Sequence, residues 1–483
     1  MFVGRDEELE ALDRLWKKKR PSLVTCRGRR RIGKSRLVEE FARRSRARFV
    51  KLEGKAPEAG MTNGAQLREF ARQFPLQGLG PEPRLGNWLE ALTLVGTLLK
   101  AQGGGRTVLL LDEISWMGGR DPGFAGSLKI AWDNALSRCP GLVVVLCGSV
   151  SSWLSENILN GTGFVGRSSL DLLLGELPPG QCAAFWGRAA SRLAPREILD
   201  TLAVTGGVPR YLEEIDPGVP VEENVRRLCF EPGGPLRREF PQLFRDLFGR
   251  RAADKETVLR ALADGPKNLS EIAAALGRDR SGHLSDILWE LGEAGFAAGE
   301  SGCNPATGAP SRQVRWRLRD NYARFYLRCI EPNAARIAAG AFRIASLDAI
   351  PAWQSVLGLQ FENLVLNNVP LLLRRLGLSG TLLSSAAPFV RRADRSGRGV
   401  QIDLLLQSRR AFWVVEIKRR GEIGKEVEAE VSEKLERLPH PPGVSLRPVL
   451  VYDGHLHPSV AADGFFDAIV PASDLFGLPA AAP

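Results

Sequence analysis

The most constraining stretch of this chain is a loop sequence, Gly28-Arg29-Arg30-Arg31-Ile32-Gly33-Lys34-Ser35. It follows a mostly apolar segment, residues 22–27, and precedes a segment with helical spacing, residues 36–45. A strand, a tight loop and a helix are therefore predicted in that order. The glycines let the backbone direct its N–H groups at an anion, and the dipole of the following helix favours negative charge at the same place. The stretch predicts a loop that binds phosphate.

The residue types at the end of this loop indicate a nucleoside triphosphate with magnesium, ATP and Mg²⁺. Lys34 is expected to reach the β and γ phosphates, and the Ser35 hydroxyl is expected to complete the Mg²⁺ shell. Arg36, the next residue, is counted with the loop as part of the binding segment. The alternative is a basic, glycine-containing surface loop, which would leave the following motif unexplained.

That second motif is an apolar run closed by two acids, residues 107–113. A parallel strand buried on both faces has this continuous apolar character. Its carboxyl end would deliver Asp112 to the magnesium shell and Glu113 to the attacking water, as general base. The alternative is a strand that ends in a solvated acidic turn.

Three residues further along are weaker candidates. Another apolar strand, residues 142–147, is followed by Gly148 and Ser149, whose hydroxyl could touch the γ phosphate or the water, or be an ordinary strand-end residue. Arg167 could supply positive charge to the site of a neighbouring subunit, or be a plain surface arginine. Arg210, in a tight turn before a helix, could close over the nucleotide from a helical lid, or serve only the turn.

Taken together, these motifs and the N-terminal Phe2-Val3-Gly4-Arg5 resemble the prokaryotic archaeal-type ATPases of the AAA+/STAND group. The resemblance covers about the first half of the chain. It implies an α/β fold for residues 1–245, a P-loop NTPase domain with a doubly wound parallel sheet and a helical lid. The arginine finger has no distinctive motif here, since only position points to Arg167.

The middle of the chain, residues 250–330, has the pattern of a winged-helix domain. Three helical segments are predicted at 254–263, 268–276 and 281–295, followed by a hairpin interrupted by Gly and Pro, 296–318. The residues expected near duplex DNA are Arg278, Arg280 and His283 by the third helix, and Arg312, Arg315 and Arg317 in the wing. The alternative is a packing module that does not touch DNA.

The C-terminal third, residues 346–475, has four residues of chemical interest: Glu362, Asp403, Glu416 and Lys418. Glu416 and Lys418 alternate with Ile417 on a predicted strand, so they should share one face. With Asp403 on a neighbouring strand they could bind Mg²⁺ and a scissile phosphate.

This pattern resembles the PD-(D/E)xK nuclease superfamily and implies a small α/β, restriction-endonuclease-like domain. The resemblance implies metal ligation by Glu362, Asp403 and Glu416, with Lys418 catalytic. Either the domain cleaves DNA or it keeps the acids for structural reasons.

Composition limits the partners. The 483 residues are too many for one ordinary core, and their net charge of +11 permits an anionic partner, although arginine is abundant throughout. A basic run at 391–398 could follow phosphates, or be an exposed turn.

No apolar run approaches the roughly 18 residues of a membrane helix, and no export signal is recognised. Seven scattered cysteines without a C-x-x-C pair are typical of a reduced, cytoplasmic protein.

These features predict a cytoplasmic ATPase switch coupled to double-stranded DNA binding or cleavage, with possible self-association and no membrane partner. The alternative is a nucleotide-gated regulator or scaffold without nuclease activity, whose C-terminal domain binds a partner.

Overall fold

The computed structural model describes residues 2–56, 58, 60–103, 105–119, 121–149, 151–343, 346–393 and 398–479. The chain divides into two compact units. Unit 1 comprises Met1–Glu176 with Glu293–Gly295, and unit 2 comprises Leu177–Gly292 with Phe296–Pro483.

Unit 1 contains a parallel sheet. Its five described strands are β1 (Ser22–Gly28), β2 (Arg48–Glu53), β3 (Thr107–Asp112), β4 (Val143–Gly148) and β5 (Ser168–Leu174). They lie in the order β2-β3-β4-β1-β5, and all neighbouring pairs are parallel. β3 and β4 are buried along their whole length, which explains their uninterrupted apolar sequences. The predicted parallel α/β sheet is confirmed.

The helices of unit 1 cover this sheet. They are α1 (Asp6–Lys17), α2 (Lys34–Arg44), α3 (Asn63–Leu76), α4 (Trp88–Ala101), α5 (Ile114–Gly118), α6 (Phe124–Asn134) and α7 (Ser151–Leu154). An aromatic series ties three of them together, because the ring of Trp88 lies edge-on to Phe70 at 5.3 Å and to Phe124 at 5.1 Å. Pairing of Cys26 with Cys147 and of Glu53 with Asp112 brings the carboxyl ends of β1, β2, β3 and β4 to one edge of the sheet.

The helices of unit 2 are α8 (Pro179–Cys182), α9 (Pro195–Thr205), α10 (Pro209–Leu212), α11 (Val221–Val225), α12 (Pro235–Phe248), α13 (Ala252–Leu262), α14 (Leu269–Ala275), α15 (Gly282–Glu293), α16 (Asn321–Phe325), α17 (Ala334–Ala338), α18 (Trp353–Asn367), α19 (Val369–Arg375), α20 (Glu426–Arg437), α21 (Pro458–Ala462) and α22 (Ala472–Phe476). Its strands are β6 (Lys267–Asn268), β7 (Ala297–Glu300), β8 (Arg315–Leu318), β9 (Ser385–Arg391), β10 (Val400–Gln407), β11 (Ala411–Ile423), β12 (Ser445–Leu456) and β13 (Ala468–Pro471).

The helices that open unit 2 share one hydrophobic core with its C-terminal sheet. Trp186 and Leu199 belong to the same buried cluster as Phe361, Val415 and Val449. This common core explains why the boundary between compact units falls at 176, ahead of the domain limit at 245 expected for an ATPase domain with its lid. The three-part division of the chain stays a prediction.

Within unit 2, α13, α14 and α15 accompany a small antiparallel sheet in the order β6-β8-β7. α14 begins with a capping box, in which Asn268 accepts from the backbone of Glu271 and the Glu271 carboxylate accepts from the backbone of Asn268. The helical segment predicted at 268–276 is confirmed.

The larger sheet of unit 2 is mixed, in the order β13-β12-β11-β10-β9. β9, β10 and β11 are antiparallel neighbours, whereas β11, β12 and β13 run parallel. Val415 and Ile417 of β11 enter the core beneath it, while Glu416 lies between them in sequence.

Among the described residues, no single helix combines the length and the apolar composition needed to cross a bilayer. α18 and α19 meet that condition only when they are taken as a pair, across a bend of 71°.

Candidate active site

The glycines of the loop after β1 are required by its backbone geometry. Gly28 has a φ of 141°, and a Cβ atom there would lie 2.4 Å from the carbonyl oxygen of Leu174 on the neighbouring strand. Gly33, with a φ of 90°, caps the start of α2. Both conformations favour glycine strongly over any residue with a side chain. The loop and helix therefore meet as the sequence predicts for a phosphate cradle.

Lys34 is held inside this loop. Its buried ammonium donates hydrogen bonds of 3.0 Å to the carbonyl of Gly28 and 3.1 Å to that of Arg29. The charge is thereby kept ahead of the helix N-terminus, where phosphate oxygens would be stabilised by the same ammonium. The other loop residues differ in exposure: Ile32 is fully buried, whereas Arg31 and Arg36 are exposed.

The N-terminal segment is fastened to the loop by Arg5. Its guanidinium donates a hydrogen bond of 3.1 Å to the carbonyl of Ile32 and one of 2.6 Å to the carbonyl of Gly175, which follows β5. Arg5 also has a left-handed backbone, with a φ of 66°. The resemblance included this residue, but its role as a brace for the loop was not predicted.

The two predicted magnesium ligands lie together. The Ser35 hydroxyl, at the start of α2, donates 2.7 Å to Oδ2 of Asp112, at the buried end of β3. Hydroxyl and carboxylate oxygens are the ligands that Mg²⁺ takes from proteins, and the pair leaves the remaining positions to water and phosphate. The residues present therefore fit a magnesium ion.

Asp112 has a further neighbour that the sequence did not reveal. The ammonium of Lys51, on β2, lies 3.0 Å from Oδ2 of Asp112 and 3.4 Å from Oε2 of Glu53. Burial lowers the pKa of Lys51, but the carboxylates of Asp112 and Glu53 together outweigh that effect, so this pKa lies above its ordinary value. The pairing of Glu53 with Asp112 in the sheet brings Lys51 to this position.

Glu113 is held in a strained conformation beside Ser149. Its φ and ψ are 48° and 45°, a left-handed conformation that non-glycine residues rarely adopt. One carboxylate oxygen accepts 2.8 Å from the Ser149 hydroxyl and 3.3 Å from the Ser149 backbone N–H. Its own N–H donates 3.1 Å to Oδ1 of Asp112. Backbone strain of this kind is found at functional sites when neighbouring contacts maintain it.

The two arginines predicted to assist are each paired with nearby acids. Arg167 donates 2.8 Å and 3.0 Å to the two oxygens of Asp133 in unit 1. These two bonds, together with Lys129, lower the pKa of Asp133 to about 2. Arg210, in unit 2, lies 2.8 Å from Glu214. Their predicted contact with a nucleotide stays a prediction.

The acids of the C-terminal third also interact. Burial, and then the charge of Asp403, raise the pKa of Glu362, and burial followed by Glu416 raises that of Asp403. Asp403, on β10, accepts 3.0 Å from the backbone N–H of Ile417. Helix α18 and strands β10 and β11 thus bring the three predicted acids into one electrostatic neighbourhood.

Two lysines form ion pairs with Glu416 of this group. Lys418 lies 2.8 Å from Oε1 of Glu416, and Lys434, on α20, lies 2.5 Å from Oε2. Among the described residues, no group of three or more His, Cys, Asp and Glu side chains is arranged to hold a metal ion. Lysine charge compensates Glu416 in this arrangement, and metal ligation by Glu362, Asp403 and Glu416 stays a prediction. Lys434 was missed because it lies on a separate helix.

The predicted DNA-facing residues divide into two groups. Arg278, Arg280 and His283 are exposed near the start of α15, and Arg312 is exposed in the loop before β8. Arg317 is different, because its side chain is buried.

The prediction that Arg317 faces DNA is corrected by its contacts. The guanidinium donates three hydrogen bonds, of 2.6 Å to Glu300, 2.6 Å to Asn363 and 2.9 Å to Asn367. These bonds satisfy it inside unit 2, so Arg317 is a structural residue.

Arg315 and the basic run have partial structural accounts. Arg315 lies 3.4 Å from Glu271, and Arg392 bonds to the same glutamate. Residues 394–397 of the basic run lie outside the described residues. Its predicted contact with phosphates stays a prediction.

The chain resembles two proteins of Methanocaldococcus jannaschii, while no protein-family model matches it. It is 26% identical to an uncharacterized protein over 365 residues, which cover 75% of this chain and 76% of that protein. It is 49% identical to an uncharacterized ATP-binding protein over 41 residues, which cover 8% of this chain and 70% of that protein.

Solved structures resemble the chain more distantly. The Walker-type ATPase of Pyrococcus abyssi aligns with 68% of this chain and 96% of its own, at 19% identity and a TM-score of 0.49. The ORC2 protein of Aeropyrum pernix aligns with 70% of this chain and 94% of its own, at 15% identity and a TM-score of 0.42. At these levels the likeness assigns no role to any residue.

Proposed function

Since the chain belongs to the same family as the archaeal ATP-binding protein of which it covers 70%, we propose that it binds ATP with Mg²⁺ and hydrolyses it. The observation that carries this proposal is the 2.7 Å bond between Ser35, beside the phosphate loop, and Asp112, at the end of a distant strand. This contact supports the proposal because it brings together the two motifs that would hold a magnesium-bound triphosphate.

The roles of the residues follow from their positions. Lys34 neutralises phosphate charge from within the loop, and the N–H groups that precede α2 bind phosphate oxygens. Mg²⁺ bound by Ser35 and Asp112 would supply further charge neutralisation at the phosphates. Glu113 is the general base that takes a proton from the attacking water, and Ser149 positions its carboxylate.

Turnover and binding measured separately test this proposal. Glu113→Gln should keep ATP affinity but lower turnover by at least ~100-fold, because the amide cannot accept the water proton. Lys34→Ala should lose ATP binding. Glu82→Gln, an exposed acid of unit 1, is the matched control and should behave as wild type. Equal turnover by Glu113→Gln and wild type would refute the assigned base.

We further propose that unit 2 binds double-stranded DNA through a winged helix formed by α13, α14, α15 and the small sheet. The supporting observation is the exposure of Arg278, Arg280 and His283 near one helix start. Binding should weaken steeply with salt, because each phosphate contact releases counterions.

Arg280→Ala should lower the affinity for a labelled duplex. It should also reduce the slope of log affinity against log salt concentration by about one, the value for one lost phosphate contact. Arg84→Ala, an exposed arginine in unit 1, is the control. An unchanged affinity in Arg280→Ala would exclude this helix start from the DNA contact.

For the C-terminal sheet, the pairing of Glu416 with Lys434, a lysine outside the Glu-x-Lys pattern, favours the role of a binding module over that of a PD-(D/E)xK nuclease. Plasmid and linear DNA incubated with Mg²⁺ or Mn²⁺ should stay intact. Cleavage that is lost in Asp403→Ala would overturn this choice and support the nuclease.

A further inference from the structure

Lys51 is placed where it affects the magnesium site, although it belongs to none of the recognised motifs. Its ammonium lies 3.0 Å from Oδ2 of Asp112, the same oxygen that accepts 2.7 Å from the Ser35 hydroxyl. One carboxylate oxygen therefore serves a lysine and a serine together.

A lysine at this oxygen is in competition with a metal ion. Mg²⁺ draws its binding energy from direct contact with negatively charged oxygen, and an ammonium at 3.0 Å already neutralises part of that charge. Metal binding at Asp112 must therefore be accompanied by loss of at least part of the Lys51 ion pair.

A second partner is available to Lys51. Oε2 of Glu53 lies 3.4 Å from the ammonium, two residues further along β2 and so on the same face of the strand. The side chain of Glu53 is 50% exposed, whereas that of Asp112 is 6% exposed. Lys51 can move from a shielded acid to a solvated one without leaving the strand face.

We propose that Lys51 is a displaceable counter-ion of Asp112. Magnesium takes the place of the Lys51 ammonium at Asp112, and Lys51 then pairs with Glu53. This inference rests on the proposed ATP site and adds a positioning residue to it. Lys51 neutralises Asp112 when metal is absent, so that the carboxylate does not repel the phosphates. It also weakens the dependence of nucleotide binding on metal.

The quantity that tests the proposal is a ratio, the Kd of ATPγS in EDTA divided by its Kd in saturating Mg²⁺. Metal binding by ATPγS in solution contributes equally for every variant and cancels in the comparison. Lys51→Gln should raise the ratio roughly three- to fivefold, the range expected for a partly exposed ion pair. The rise comes mainly from weaker binding in EDTA, where Asp112 stays unneutralised.

Three variants sharpen the test. Glu53→Gln should lower the ratio, because Lys51 loses its alternative partner and stays on Asp112. Lys51→Arg keeps the charge and should restore the wild-type ratio. Lys55→Gln removes a nearby lysine that pairs with Glu58 at 3.4 Å, and should leave the ratio unchanged.

The outcomes separate this inference from the proposed function. An unchanged or lowered ratio in Lys51→Gln, with ATPγS still bound, overturns the counter-ion and leaves the ATP site intact. Failure of the wild type to bind ATPγS in either buffer overturns both. Should Lys51→Gln not fold, an unchanged ratio in Glu53→Gln overturns the counter-ion by itself.

Discussion

The Ser149 hydroxyl donates a 2.8 Å hydrogen bond to the carboxylate of Glu113. The bond joins the end of β4 to the end of β3, across two neighbouring strands of the sheet in unit 1. It fixes the direction in which the candidate base presents its oxygens, and that direction governs how well the base meets a water molecule.

We expect Ser149→Ala to lower ATP turnover about tenfold while leaving ATP affinity unchanged, because a hydrogen bond to a charged group is removed from the base. Steady-state turnover and ATPγS binding measure the two effects. Ser149→Thr keeps a hydroxyl and should retain most of the activity. Ser137→Ala, whose hydroxyl bonds to a helix carbonyl, is the control. A parallel loss of binding would contradict a role confined to Glu113.

Gly28→Ala should destabilise unit 1 and abolish nucleotide binding. The added methyl group would lie 2.4 Å from the Leu174 carbonyl, at a φ of 141°. Steric and backbone strain together should cost at least about 2 kcal/mol. Gly78 has a φ of 64° and open space around it. Gly78→Ala should therefore lower the free energy of unfolding by only about 1 kcal/mol. Thermal unfolding compares the two variants, and equal effects would show that the contact with Leu174 is unimportant.

Much of the geometry of the proposed ATP site was predictable because its signals are local. β3 and β4 are continuous apolar runs, and parallel strands end at one edge of a sheet. The approach of Ser35 to Asp112 follows because Ser35 comes after β1 and Asp112 ends β3, two strands of the same parallel sheet. The positions of Gly28 and Gly33 followed from the loop pattern alone, since both need backbone conformations that favour glycine.

The missed features depend on tertiary pairing. Lys51 lies on β2, whose mixed polar and apolar sequence gives no sign that it borders β3. Arg317 has the sequence surroundings of a wing residue, yet its bond to Asn363 joins residues 46 positions apart. Lys434 reaches Glu416 from a helix that begins ten residues after the strand acid. No local pattern reports such contacts.

Arg167→Ala should leave turnover per chain unchanged, within about twofold, in dilute protein, because Asp133 binds the arginine within its own chain. If chains associate, turnover per chain should rise with protein concentration in wild type and not in Arg167→Ala. Turnover measured across a concentration series, alongside sedimentation velocity, tests this. Lower turnover in the variant at the highest dilution would show that Arg167 acts on its own nucleotide.

Glu362 should make stability depend on pH. Burial, and then Asp403, raise its pKa from 4.5 to about 7, so the folded chain holds a proton there that the unfolded chain releases. A raised folded-state pKa contributes stability that is fully present below about pH 4.5 and is lost as pH rises towards 7. Glu362→Gln should match wild type near pH 5 and be more stable by on the order of 1–2 kcal/mol near pH 8.

Thermal unfolding of both proteins across this pH range measures the difference. Glu436→Gln, at an exposed acid of α20, is the control. The difference in stability between this variant and wild type should stay constant across the pH range. The difference between Glu362→Gln and wild type should also grow with pH when Mg²⁺ is present, because Lys418 and Lys434 already compensate Glu416. If Mg²⁺ instead abolished the pH dependence in wild type, the acids would bind metal, as the sequence predicts.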